Sequence, residues 1–100
     1  MIKSIADLNI AENQISGVEV KQLRTFGDDR GFFREVIRVT DPIFCDRFAQ
    51  WSHSRMVHNT VKAWHFHHTQ YDWWYIAIGV AHVALIDFRE ESPTYKKKIE

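Results

Sequence analysis

The residues of this chain best suited to chemistry lie in WHFHHTQYDWWYIAIG, residues 64–79. Three of the six histidines fall within four positions there, and an aspartate follows. Imidazole titrates near neutral pH and ligates transition metals, so such a cluster serves proton transfer or metal coordination. In a strand, alternate side chains face opposite ways. Val61, Ala63, His65 and His67 then share one face, and Lys62, Trp64, Phe66 and His68 the other. His65 and His67 project side by side, above small Val61 and Ala63 that leave room for a ligand. A single strand histidine is more often a hydrogen-bonded packing residue, and His53, His58 and His82 keep that reading because none has a partner at strand spacing. Two chemistries stay open for the pair. One is acid–base catalysis by His65 and His67. The other is a divalent transition metal held by His65, His67 and Asp72, with open positions for a substrate.

The elements that must carry these residues read as strands. Aromatics make up 14% of the chain and come with Val, Ile and Thr in short runs between turn residues. Strands are expected over residues 17–26, 31–39, 48–54, 60–68, 73–78 and 80–88. GDDRG (residues 27–31) should form a tight turn, and IFCDRF (residues 43–48) a helical turn after Pro42. No long window follows a 3.6-residue period, so the expected class is all-β, closing as a sandwich or barrel. At 100 residues the chain is expected to be one domain, residues 1–100.

Charge and cysteine narrow the partners. Thirteen basic residues balance thirteen acidic ones, which disfavours nucleic acid and anionic membrane surfaces. The Lys96–Lys98 run is expected to be a solvated tail. The lone Cys45 cannot form an intramolecular disulfide; with Phe44 and Phe48 beside it, it reads as a small buried hydrophobe in a reducing cytoplasm. The opening MIKSIADLNI is expected to be neither a signal peptide nor a membrane span, because Asp7 interrupts its apolar residues.

The spacing of His65, His67, Asp72 and Gly79 resembles the first signature of the cupin superfamily, whose acidic residue is usually glutamate and whose earlier glycine is here Asn59. A second resemblance covers more of the chain. DDRGFFRE, QWSHS, VKAWHF and VALIDFREESPTY follow in the order of blocks in the deoxysugar 3,5-epimerase family, of the dTDP-4-dehydrorhamnose 3,5-epimerase type. That resemblance implies a cupin-type jelly roll, an antiparallel β-sandwich of which this chain is the N-terminal portion, truncated at its C-terminal end. It also implies a homodimer and a nucleotide-sugar substrate, with no metal or other cofactor.

Residue by residue, the resemblance gives Arg30 to the nucleotide diphosphate, which its planar fork suits. Glu35 falls to the nucleotide base, and Gln50, Ser52 and Lys62 to substrate contacts, Lys62 standing where the family has a second arginine. His65 matches the catalytic base. A 4-keto group acidifies the protons on carbons 3 and 5, and imidazole can remove one to leave an enolate that is reprotonated from the opposite face. The family's tyrosine acid and its orienting aspartate belong to a C-terminal half. His67 stands where the family has glutamine, Ala63 where it has glycine, and Asp72 where it has an enolate-stabilising lysine; an acid there opposes an enolate.

Three functions follow as expectations. The first is an isomerase, either a 3,5-epimerase or a 3,4-ketoisomerase using the His65/His67 pair as proton shuttle, acting on a dTDP-4-keto-6-deoxyhexose. The second is a metal-binding cupin with His65, His67 and Asp72 as ligands. The third is a non-catalytic sugar-binding module.

Overall fold

The computed structural model describes residues 14–44 and 48–100. Met1–Ile10 and Cys45 lie outside these residues, as does half of the expected helical turn. The chain divides into two compact units, Met1–Val36 with Ile76–Glu100 and Ile37–Tyr75.

The fold is all-β: among the described residues every ladder is an antiparallel strand pair, and Gln14 alone is helical. In the first unit β1 (Thr25–Asp28) pairs with β2 (Gly31–Arg34) in the register Thr25↔Arg34, Phe26↔Phe33, Gly27↔Phe32, Asp28↔Gly31. The turn expected at GDDRG is therefore a hairpin loop of two residues, Asp29 and Arg30. Neither lies at positive φ, and Gly31 at φ 140 supplies the unusual backbone instead. Period-2 placement sorts the side chains into Arg–Phe stacks. Arg24 lies 4.7 Å above the Phe26 ring and Arg34 4.8 Å above Phe32, while Arg34 Nε donates to Thr25 Oγ1 at 2.7 Å.

The same unit holds β3 (Leu85–Ile86) against β4 (Lys98–Ile99). Among the described residues Ile15 and Ile99 are its buried hydrophobic residues, with Val18 and Leu85 packed on them. The lysine run expected to be a tail supplies part of this sheet instead. Lys96 N–H donates to the Asp87 carbonyl at 2.7 Å, Asp87 N–H to the Lys97 carbonyl at 3.0 Å, and Lys98 opens β4. The lysine side chains stay exposed, so charge in solvent and backbone in a ladder coexist.

The second unit is built on turns. Asp41 N–H donates to Arg38 O and Phe44 N–H to Asp41 O, both at 3.0 Å, while Asp41 Oδ2 accepts from Arg38 N–H at 2.8 Å. Trp73 Nε1 donates to the Ile43 carbonyl at 2.9 Å, and its ring lies 5.5 Å from that of Phe44. Residues 48–54, 60–68 and 73–78, expected as strands, carry no ladder among the described residues. Side-chain alternation names a strand's faces, but only a neighbouring backbone supplies its hydrogen bonds. Of residues 17–26, 31–39 and 80–88, only the parts within β1, β2 and β3 are paired. Among the described residues, no helix is long and apolar enough to cross a membrane.

Candidate functional site

Arg30 sits at the tip of the β1–β2 hairpin, held by the carboxylate two residues before it. Asp28 Oδ1 accepts from Arg30 N–H at 2.8 Å and from Nε at 3.4 Å, and Oδ2 accepts from Nη2 at 2.7 Å. The guanidinium beside it holds the Asp28 carboxyl below the usual carboxylate range, and the carboxylate raises Arg30 in turn. The arginine side chain is nevertheless 86% exposed, and an exposed ion pair opens at little cost. An open depression of about 370 Å³ lies beside it, lined by Phe26, Asp28, Arg30, Phe32 and Phe33. Cation and aromatic rings in one concavity suit a phosphate with an attached planar base. Glu35 directly follows β2 and is exposed.

In the second unit the candidate polar residues meet one another or near neighbours. Gln50 Nε2 donates to Ser52 Oγ at 3.0 Å, and Lys62 Nζ to Ser54 Oγ at 3.0 Å. The segment leading to the histidines turns at Val57–Thr60, where Thr60 N–H donates to the Val57 carbonyl at 3.2 Å and Asn59 lies at φ 63. This is the left-handed region, and Asn tolerates it better than most residues with a Cβ.

Beyond this turn His65 is exposed. Phe66 and His68 meet edge to face at 5.4 Å, as two residues on one side of an extended chain would. His67 meets Asp72: its Nε2 lies 3.3 Å from Asp72 Oδ2, with the two side chains 40% and 35% exposed. Gln70 closes the cluster, donating from Nε2 to Asp72 Oδ1 at 2.9 Å and lying 3.4 Å from His67 Nε2. The structure thus brings together two of the three residues considered as metal ligands. Among the described residues no three His, Cys, Asp or Glu side chains assemble into a metal-holding group. His82 contacts Glu100 Oε2 at 3.4 Å.

The best-satisfied polar group of the first unit was not singled out in the sequence. Asp87 is buried, and its Oδ1 accepts from Arg89 N–H at 3.0 Å and Nε at 2.8 Å. Its Oδ2 accepts from Arg89 Nη2 at 2.9 Å, Ser92 Oγ at 2.5 Å and Thr94 Oγ1 at 2.7 Å. Arg89 also donates to the Ser16 carbonyl, and Thr94 Oγ1 accepts from Ser16 N–H at 2.9 Å. The Arg89 guanidinium, helped by the two hydroxyls, outweighs burial and holds this carboxyl far below the usual range. The signal that marks it in the sequence is Asp-x-Arg, the spacing already present at Asp28 and Arg30, followed by Ser92 and Thr94.

The dTDP-4-dehydrorhamnose 3,5-epimerase family matches residues 12–100, and the chain belongs to that family. A spore coat polysaccharide biosynthesis protein of Bacillus subtilis strain 168, SpsL, is 44% identical over 80 residues, which are 80% of this chain and 52% of that protein. The chain thus spans about half the length of this curated relative. No solved structure matches it.

Proposed function

We propose that the protein acts on a dTDP-4-keto-6-deoxyhexose, transferring a proton at a carbon next to the keto group. Membership of the 3,5-epimerase family over residues 12–100 carries the reading. His65 takes the proton from carbon 3 or 5, the electron pair of that C–H bond moves into an enolate, and reprotonation at carbon inverts it. If the proton is taken from carbon 3 and His67 returns it to carbon 4, while the carbon 3 hydroxyl proton passes to the carbon 4 oxygen, the keto group moves to carbon 3. Arg30 binds the diphosphate and Glu35 the base, while Gln50, Ser52 and Lys62 contact the sugar nucleotide. The product feeds polysaccharide synthesis, the role in which the relative SpsL is named.

The accompanying architecture is a cupin-type jelly roll within a single domain, working as a cytoplasmic homodimer without a metal. The exposed apolar side chains support a further covering surface: Trp51 is 76% exposed, Phe66 75% and Ile78 95%. Monomeric proteins seldom leave so much large apolar surface open to water.

The test follows deuterium entry at carbons 3 and 5 of the keto-sugar when chelator-treated protein is incubated in deuterated water. Exchange that survives chelation and disappears in His65→Ala is the expected result. Exchange that returns only with an added divalent ion would favour His65, His67 and Asp72 as metal ligands. No exchange under any condition would replace the enzyme with a sugar-binding module.

A further inference from the structure

The ion pair at the tip of the β1–β2 hairpin occupies donors that a diphosphate would use. Arginine recognises anions through paired N–H groups, and Asp28 already takes one such pair, with Oδ1 on Nε at 3.4 Å and Oδ2 on Nη2 at 2.7 Å. Both residues line the same open depression, so the carboxylate stands inside the concavity that suits a nucleotide. Asp29, next in the loop, is exposed, and the loop therefore sets two carboxylates against one guanidinium. A diphosphate approaching it gains little attraction until the guanidinium turns from Asp28. The charge on Asp28 is not what closes the turn. Its Oδ1 accepts from the Arg30 backbone N–H at 2.8 Å, a bond that a neutral Asn side chain makes equally well, and the strand register runs to Asp28↔Gly31.

We infer that Asp28 is a competing anion within the nucleotide site: it holds the Arg30 fork in the free protein, yields it to the diphosphate on binding, and takes it back when the diphosphate leaves. The inference rests on the reading that Arg30 binds the diphosphate, and adds what limits how tightly that site holds it. A carboxylate that merely aimed the arginine would strengthen binding. An exposed pair fixes its arginine only loosely, so little is gained from such aiming. The opposing effect acts whichever edge of the guanidinium the phosphates take. Asp28 occupies one edge and stands across a single guanidinium from the other, where its charge repels theirs.

The test is a double-mutant cycle on the full chain, read by calorimetric titration of dTDP into wild type, Asp28→Asn, Arg30→Ala and the variant carrying both, each checked by a thermal melt. Asp28→Asn should lower Kd for dTDP roughly twofold to fivefold, the worth of an exposed pair, and leave Kd for thymidine, which has no phosphate, unchanged. With Arg30 already replaced by Ala, the same change should move Kd by less than about twofold, the residual charge effect being screened. An Asp28→Asn protein that binds dTDP as the wild type does overturns the competition, and one that binds it more weakly makes Asp28 a support for the arginine instead. Tightening shared by thymidine, or kept at full size in the Arg30→Ala background, also overturns it, because the carboxylate would then act without reference to the fork. An Arg30→Ala protein with an unchanged Kd for dTDP overturns the diphosphate reading itself, a result distinct from the other failures.

Discussion

Asp28 and Asp87 each accept the backbone N–H and the guanidinium of the arginine two residues on, yet one carboxylate is 49% exposed and the other 1%. The donors and acceptors correspond atom for atom: N–H and Nε to Oδ1, Nη2 to Oδ2. What differs is the surroundings. Asp28 stands at a hairpin tip in water, whereas Ser92 and Thr94 close over Asp87 and tie it to the backbone of Ser16. In water the fork can be exchanged for another anion, so Arg30 is free to meet a phosphate. Buried, the same fork becomes structural, because a carboxylate removed from water cannot lose its partners without a large penalty. Identical local chemistry thus leaves an exchangeable pair in one place and makes a fastening in the other.

The largest effect should come from breaking the buried clip. Asp87→Ala leaves two hydroxyls and the arginine without their shared acceptor and should destabilise the protein by roughly 3 kcal/mol, read from urea unfolding. A loss below about 1 kcal/mol would place the two clips in one energetic class.

Acid should expose the same contrast more gradually. A carboxyl whose folded pKa is depressed contributes stability that is fully present above its unfolded value, about 3.9, and fades as pH falls toward the folded one. The stability gap between wild type and Asp87→Asn should therefore hold steady from pH 7 to about 5 and narrow below about pH 4. A gap that stays constant to pH 2 in urea melts, or one that closes above pH 5, would contradict the depressed carboxyl of Asp87.

The hairpin offers smaller changes. Nothing lies within 4 Å of a Cβ added at Gly31, so Gly31→Ala acts through its φ of 140 alone and should cost about 1 kcal/mol or somewhat more. Asp28→Asn should leave the urea unfolding midpoint nearly unchanged, an exposed pair being weak and screened by salt. If Asp28→Asn were as costly as Asp87→Ala in the same urea assay, burial would not be what separates the clips.

Local signals were the legible ones. GDDRG specified its hairpin and placed Arg30 at the tip, because a two-residue loop depends on residues adjacent in sequence. The alternation through Phe66 and His68 showed in their ring contact for the same reason. Ladder partners were not legible: nothing in TVKAWHFHH states which distant backbone would pair with it, and its histidines lie outside every ladder among the described residues. The Asp87 clip lies within VALIDFREESPTY, and its Asp-x-Arg spacing is the one also found at Asp28 and Arg30. Burial separates the two uses, and burial depends on residues as remote as Ser16. The approach of Asp72 to His67 needs the bend at residues 68–69, where the expected strand ends at His68 and alternation says nothing of the direction the chain then takes.

The most direct measurement is a calorimetric titration of dTDP into wild type and Arg30→Ala, each checked by a thermal melt. Arg30→Ala is expected to raise Kd roughly tenfold or more through the loss of a charge-assisted contact, while the unfolding midpoint stays within a few degrees. An unchanged Kd in a folded Arg30→Ala protein would contradict it, leaving the exposed fork as surface charge with no nucleotide to hold.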